Sequence, residues 1–403
     1  MEASQHKKPI LFIFFTLVLD MLGIGIIVPV LPDVIRRFVQ DPNEVSRYFG
    51  YFIATYAVMQ FFASPILGNL SDRFGRRPIL LGSLLGASLD YVFMAFAPSL
   101  GFLFFGRFIS GLTGASMTVA NSFIADISTD KNRSAHFGMV GAAFGIGFIL
   151  GPLLGGALGH FSSIAPFLAA AVLNFLNFLF GVFLLPESLK KENRRALQFN
   201  KMNPFSTLKR LFSHKSILIF IIVYALLFLA GQVHPNIWTL YTEYKFSWNS
   251  FQVGLSLSFV GLVFGLSQMF VTKKLVPLWG EQKALFIGVC VSIVAYALYG
   301  FANQGWMMYA IMFGSVLSGL ATPCLQSIMT ATVEANRQGE LQGGLVSLSS
   351  LASIISPLVY THSFRFGTNP ESLFQFSGLP YLIASAVTLI GLVLLLSKKT
   401  KLN

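Results

Sequence analysis

Apolar runs of nearly constant length recur along this chain, separated by connections too short to fold by themselves. Taken in order, at roughly 10–31, 48–70, 78–97, 101–125, 135–158, 164–185, 216–240, 250–272, 281–301, 306–332, 340–362 and 376–396, they make twelve segments. Each is close to the ~20 residues that an α-helix needs to cross the hydrocarbon of a bilayer. The expected fold is therefore an all-α membrane protein of twelve transmembrane helices. Composition agrees: 54% of the 403 residues are apolar, 11% are charged and the mean hydropathy is +0.69. Soluble domains carry about 25% charged residues.

The net charge of +12 could point to nucleic acid, but its distribution points to topology. Most Lys and Arg fall in the termini and the even-numbered connections, and Arg107 is left deep inside a span. That asymmetry predicts cytoplasmic termini, contact with membrane lipid and no nucleic-acid partner. The first apolar run continues as a full span without a small-residue cleavage site, so no cleaved signal peptide is expected. Cys290 and Cys324 lie in predicted spans and imply no disulfide framework. The 42 Phe are read as lipid-facing bulk.

The only long polar connection, 186–215, carries Lys190, Lys191, Arg194, Arg195, Lys201, Lys209, Arg210 and Lys215. It divides the chain into two six-helix bundles, 1–185 and 216–403. Sliding the first half by 205 positions sets Gly75 on Gly280 and Pro152 on Pro357. Internal repetition on this scale marks transporters whose halves rock about a central site. The same shift sets Asp20, Asp90 and Arg107 on Ala225, Ala295 and Met312. Intramembrane charge is thus concentrated in the first half, which is read as the ion-handling side.

Between the second and third spans stands Gly68-Asn69-Leu70-Ser71-Asp72-Arg73-Phe74-Gly75-Arg76-Arg77-Pro78, predicted to be a short cytoplasmic loop. Its arginines fix topology, Pro78 can open the next helix, and Gly68 and Gly75 allow close approach or positive φ. The pattern G-x-x-x-D-R-x-G-R-R-P resembles the loop signature of the major facilitator superfamily. Together with Ser88-Leu89-Asp90-Tyr91 it is similar, more closely, to the bacterial tetracycline/proton antiporters, and the likeness extends over nearly the whole chain. The cytoplasmic gate expected here comprises Gly68, Asp72, Arg73, Gly75, Arg76 and Arg77 with Asp126 and Arg133, making contacts that hold one conformation and break in the other.

At 1.5 Å per residue Asp20 lies ~15 Å and Asp90 ~18 Å into their helices from the cytoplasm, and Arg107 ~21 Å above the same edge. A charge at such depth costs about 2.5 to 3.5 kcal/mol unless paired or hydrated. A permanent Asp–Arg staple is one reading. Two acids around one Arg, however, leave an excess carboxyl group to titrate as its surroundings alternate, and Asp20, Asp90 and Arg107 are read as the proton-coupling set. The resemblance implies the same roles for Asp20 in Leu19-Asp20-Met21-Leu22-Gly23-Ile24-Gly25, Asp90 in Leu89-Asp90-Tyr91 and Arg107 in Gly106-Arg107. The fifth span carries Gly147, Gly151, Pro152, Gly155 and Gly156. Small residues at this spacing permit tight helix contact, and G-x-x-x-G-P-x-x-G-G also resembles the antiporter signature of exporters, which implies export.

Substrate contacts are expected from Gln60, Asn121, Gln232, Asn236, Trp238, Gln268 and Gln326, although an amide in lipid can equally bond a neighbouring helix. His234 is expected at a helix boundary, facing water, in preference to serving as a proton relay. The acid that the resemblance implies in the ninth span is replaced by Ser292, and the histidine in the eighth by Phe264. The relatives carry tetracycline as a metal chelate, so these two replacements leave open whether tetracycline itself is carried, and neither a metal site nor a cofactor is expected. The expectation is a monomeric proton-coupled exporter of a drug-like or metabolite-like organic solute. A carrier of an endogenous solute such as a siderophore or nutrient is the alternative. A receptor or scaffold, and an enzyme, fit less well, because the acids are buried and no nucleophile, His and carboxylate converge.

Overall fold

Hydrocarbon offers the backbone no hydrogen-bond partners, so a chain of apolar runs closes its peptide groups within helices. The computed structural model describes residues 7–114, 116–128, 133–194, 203–213, 217–333, 338–372 and 375–399, and among these no strand occurs. The α-helices of seven residues or more are α1 (Lys7–Ile27), α2 (Pro42–Phe74), α3 (Arg76–Ala95), α4 (Leu100–Thr113), α5 (Ser116–Ile127), α6 (Arg133–Phe161) and α7 (Ala165–Leu184). They continue as α8 (Pro204–Phe212), α9 (Leu218–Gly231), α10 (Val233–Phe246), α11 (Ser250–Leu266), α12 (Lys273–Trp279), α13 (Glu281–Phe301), α14 (Gly305–Gly314), α15 (Ala321–Thr332), α16 (Gln338–Thr368) and α17 (Leu379–Lys399). Among the described residues ten helical stretches are long and apolar enough to span a bilayer, or eleven if the bent pair Gly305–Gly314 and Val316–Thr332 is one span.

Two compact units result, and neither is one half of the sequence. The first comprises Met1–Phe38, Thr55–Pro204 and Asn249–Gly261, and the second Val39–Ala54, Phe205–Trp248 and Leu262–Asn403. The opening turns of α2 therefore belong with the second unit, where Glu44 pairs with Arg47 and lies 3.5 Å from Arg365. The opening turns of α11 belong with the first, where Ser250 donates to Asp33 at 3.1 Å.

The first unit is cored by Phe12, Ile13, Leu17, Leu80, Val119, Phe123 and Leu185. Polar rungs tie α1 and α3 to α7: Thr16 Oγ1 donates to Asn177 Oδ1 at 3.1 Å and Ser88 Oγ to the Ala171 carbonyl at 2.9 Å. A seam of glycines brings α6 onto α1. A Cβ at Gly151 would stand 2.9 Å from Gly25 Cα, one at Gly147 would strike Met21, and one at Gly155 would strike the Ile26 carbonyl. Gly156 turns the other way, towards Gly254 on α11. Pro152 removes one helical donor from α6, and Ser258 Oγ donates to the nearby Ile149 carbonyl at 2.6 Å.

In the second unit α17 packs on α9 and α13, and α16 on α10. The polar 186–215 stretch contains α8, whose Leu208 and Leu211 are buried, so part of that connection is an amphipathic helix rather than bare linker. The internal repeat is visible in the backbone. Gly75 and Gly280 are the glycines with positive φ among the described residues, at 109° and 77°.

A buried acid and arginine cluster with a charged hinge

The hinge between α2 and α3 is shorter than the sequence implies. Gly68 through Phe74 continue α2 and Arg76 already opens α3, so the turn is Gly75 alone. Continuing the helix satisfies backbone groups that an eleven-residue loop would leave open. Pro78 sits in the first turn of α3, where its missing N–H is not needed.

Around this hinge Arg76, rather than Arg73, is the hub. Its side chain is 9% exposed and reaches Asp72 at 2.5 Å, Asp126 at 3.1 Å and Ser71 Oγ at 2.6 Å. Arg73 is exposed and lies over the Phe74 ring. Arg77 donates to the Val182 carbonyl at 2.6 Å. Glu187, absent from the sequence-based set, accepts the backbone N–H groups of Arg76 and Arg77 at 2.8 and 3.2 Å. It thereby caps the positive end of α3 with a carboxylate. Ser188 donates to Asp126 at 3.0 Å. Arg133 opens α6, and its side chain lies outside the described residues.

Deeper in the first unit the three charges singled out by depth share one neighbourhood. Asp90 on α3 is 3% exposed, and neither carboxylate oxygen makes a well-formed hydrogen bond with a described residue. Ser110 and Arg107, both on α4, are the polar groups acting on it. Gly106 makes room, since a Cβ there would stand 3.1 Å from Asp90 Oδ1. The Arg107 guanidinium carbon lies 4.3 Å from the centroid of Tyr56, within cation–π range. Tyr56 and Tyr91 each sense Asp20, Asp90 and Arg107 together. Gln60 joins this group by donating to Tyr56 Oη at 3.0 Å and to the Gly114 carbonyl at 3.1 Å. Sequence reasoning missed Tyr56, Tyr91 and Ser110, although Tyr91 adjoins Asp90 and Ser110 lies one helical turn past Arg107.

Three of the remaining amides are tied into helix contacts. Asn121 is half-buried on α5. In the second unit Gln232 donates to Ser353 at 2.7 Å, Asn236 to Ser356 at 3.0 Å and Gln326 to Tyr224 at 3.3 Å. Trp238 is 1% exposed. The side chain of Gln268 lies outside the described residues. Ser292 is buried and bonded to the Gly288 carbonyl of its own helix, while Phe264 is exposed. His234 does not face water as expected. It is half-buried among aromatic rings with its Nδ1 fully buried. Among the described residues no group of His, Cys, Asp and Glu is arranged to hold a metal ion.

The sequence matches the Major Facilitator Superfamily over residues 13–357 and 226–401. It is 40% identical to the tetracycline resistance protein, class C, of Escherichia coli, over 96% of each chain. It is also 40% identical to the class B protein of Escherichia coli over 86% of each, and 27% identical to multidrug resistance protein 2 of Bacillus subtilis (strain 168) over 100% of this chain and 98% of that one. The fold is similar to that of the human organic anion transporter MFSD10, with a TM-score of 0.72 at 24% identity over 96% of this chain and 99% of the other. It is likewise similar to the nucleoside transporter NupG, with a TM-score of 0.76 at 15% identity over 96% and 98%. Spanning helices, the buried charge cluster, the charged hinge and these likenesses converge: the chain is an integral membrane transporter that belongs to the Major Facilitator Superfamily, among the tetracycline resistance proteins.

Proposed function

We propose that this protein exports a drug-like or metabolite-like organic compound from a bacterial cytoplasm in exchange for protons, by alternating access. The observation that carries the reading is the shared neighbourhood of Asp20, Asp90, Arg107, Tyr56 and Tyr91. Two carboxylates share one guanidinium, which balances one of them and leaves the second negative charge to be neutralised by loading a proton. Asp90 is the better placed of the two, because its oxygens are dry and weakly bonded in this conformation. One charge moving through 100 mV supplies about 2.3 kcal/mol, roughly a fifty-fold solute gradient.

The Arg76, Asp72 and Asp126 contacts act as the cytoplasmic latch, with Glu187 holding α3 in register. Exposed pairs are worth about 0 to 1 kcal/mol each, weak enough to break once per cycle. The Gly147, Gly151, Pro152 and Gly155 seam holds α6 on the stretch of α1 next to Asp20, and Gly156 faces α11. Among the candidate substrate residues Gln60 and Asn121 come first, since Gln60 is joined through Tyr56 to Arg107. Twelve spans in two bundles, 1–185 and 216–403, with cytoplasmic termini and a monomeric state, complete the reading. The bent α14–α15 pair and the shorter apolar helix Gly145–Phe161 within α6, beside the ten longer spans, support that reading.

The test is proton release in everted membrane vesicles that hold a pH gradient. Addition of tetracycline or ethidium should release protons with the unaltered protein. The Asp20→Asn and Asp90→Asn variants should reach the membrane at normal levels and release none. Unchanged proton-linked flux in both variants would reject this role.

A further inference from the structure

In the second unit four aromatic rings close on one histidine. The His234 ring, in the first turn of α10, has its centroid 5.0 Å from that of Tyr299, 5.5 Å from Trp238, 5.7 Å from Tyr296 and 5.7 Å from Tyr381. The rings come from three helices, α10, α13 and α17, and pack on one another. Trp238 and Tyr299 are 5.8 Å apart, and Tyr299 and Tyr381 5.6 Å. Nδ1 of His234 and the hydroxyl of Tyr381 are buried without a hydrogen-bond partner among the described residues. The histidine residue as a whole is half-buried.

A histidine that serves packing commonly spends its ring nitrogens on a carbonyl or a carboxylate. This one is ringed instead by four aromatic side chains, each within the ~6 Å at which an aromatic ring can attract a cation. The titratable groups facing it are Tyr296 and Tyr299 from α13 and Tyr381 from α17. Behind them Tyr360 of α16 donates to the Leu229 carbonyl at 3.0 Å. Further along α10, Lys245 donates to Tyr241 Oη at 2.9 Å, and Tyr241 donates to the Tyr299 carbonyl at 2.7 Å. No carboxylate among the described residues acts on the imidazole. The half of the chain that holds this cage has Ala225, Ala295 and Met312 where the first half has Asp20, Asp90 and Arg107, and Ser292 and Phe264 carry no charge.

We propose that His234 is a second proton-binding site of this transporter, an imidazole that becomes an imidazolium inside an aromatic cage in the half of the chain without the buried acids. A proton from water adds to the nitrogen lone pair and returns to water on release. No other bond forms or breaks. The proposal stands apart from the roles given to Asp20 and Asp90, so the two fail separately.

The full-length protein with Trp248→Phe, Trp279→Phe and Trp306→Phe keeps Trp238 as its one tryptophan, and an imidazolium quenches indole emission more than a neutral imidazole does. Emission of the purified protein should fall in a single one-proton step between about pH 8 and pH 4. The step should be absent from His234→Gln and present in Asp90→Asn. In the unsubstituted protein labelled with ¹⁵N-histidine, one of the six histidine signals should titrate over the same range and be missing from His234→Gln. An emission step of equal size in His234→Gln, or His234 ring resonances that stay constant across the range, overturns the proposal. The labelled protein carries the test alone if the tryptophan substitutions impair folding.

Discussion

Replacing Gly75 by alanine perturbs two things that the structure separates. With φ 109° and ψ 158° this residue occupies a backbone region essentially restricted to glycine, and forcing another residue into it costs about 1–3 kcal/mol. Gly280, at φ 77° and ψ 155°, occupies the same region, but a Cβ there would meet nothing within 4 Å. At Gly75 the added Cβ would stand 2.8 Å from Glu187 Cδ, nearer still to its Oε2, and 3.1 Å from Arg194 Nη2. The Glu187 carboxylate would have to leave the N–H groups of Arg76 and Arg77. Hydrogen bonds to a charged group contribute about 1.5–3 kcal/mol net, so Gly75→Ala should be that much worse than Gly280→Ala. On a Glu187→Ala background the bonds are already gone, and Gly75→Ala should then cost only the backbone strain. The double variant should therefore be about 1.5–3 kcal/mol more stable than the two single losses predict. Unfolding by SDS in mixed micelles, followed by circular dichroism, measures all four proteins. Equal losses for Gly75→Ala and Gly280→Ala, or additivity with Glu187→Ala, would refute the reasoning.

Two further outcomes follow from the first unit. Gly155→Ala should destabilise by about 1–3 kcal/mol, because its Cβ meets the backbone of Ile26, which cannot yield as a side chain can. Gly145→Ala in the same helix, where nothing lies within 4 Å, should be neutral or stabilise by up to about 1 kcal/mol. The same SDS titration checks both, and equal effects would remove the seam as the reason for the glycine spacing. Arg76→Lys keeps the charge but cannot serve Asp72, Asp126 and Ser71 at once. It should slow drug-driven proton release in everted vesicles as much as Asp126→Asn does, whereas unaltered rates would mean that charge alone suffices.

Much of this was legible before any coordinates, because lipid makes depth a function of residue number. Counting along helices placed Asp20, Asp90 and Arg107 at one level, and their shared neighbours Tyr56 and Tyr91 agree with that reckoning. The repeat at 205 positions was equally visible, since a backbone that must turn with positive φ leaves a glycine in each copy. The ion pairs at the hinge were legible only as a set of candidate residues. Asp72, Arg76 and Asp126 were all named, but the arginines at 73, 76 and 77 differ by helical phase, and phase depended on whether α2 ended before or after Phe74. Once α2 runs through to Phe74, Arg73 swings outward and Arg76 inward.

Glu187 and His234 escaped for a different reason: their meaning lies in partners far away along the chain. Glu187 closes on N–H groups 111 and 110 residues earlier, and no local pattern distinguishes it from an acid that merely dilutes a basic connection. Its only trace is the glycine at 75, whose missing side chain is the space that the carboxylate fills. His234 looked like a boundary residue because position along α10 measures depth and says nothing about what covers the ring. Its cover is supplied by Tyr296, Tyr299 and Tyr381 from helices that begin 47 and 145 residues later. Those tyrosines were scattered among the 12 in the chain, with no spacing of their own to mark them. Depth can therefore be counted from sequence in a membrane protein, whereas the partner across a helix interface has to be seen. The test of His234 matters for that reason, because it asks whether a site invisible to counting takes part in the proton traffic proposed for the sites that counting found.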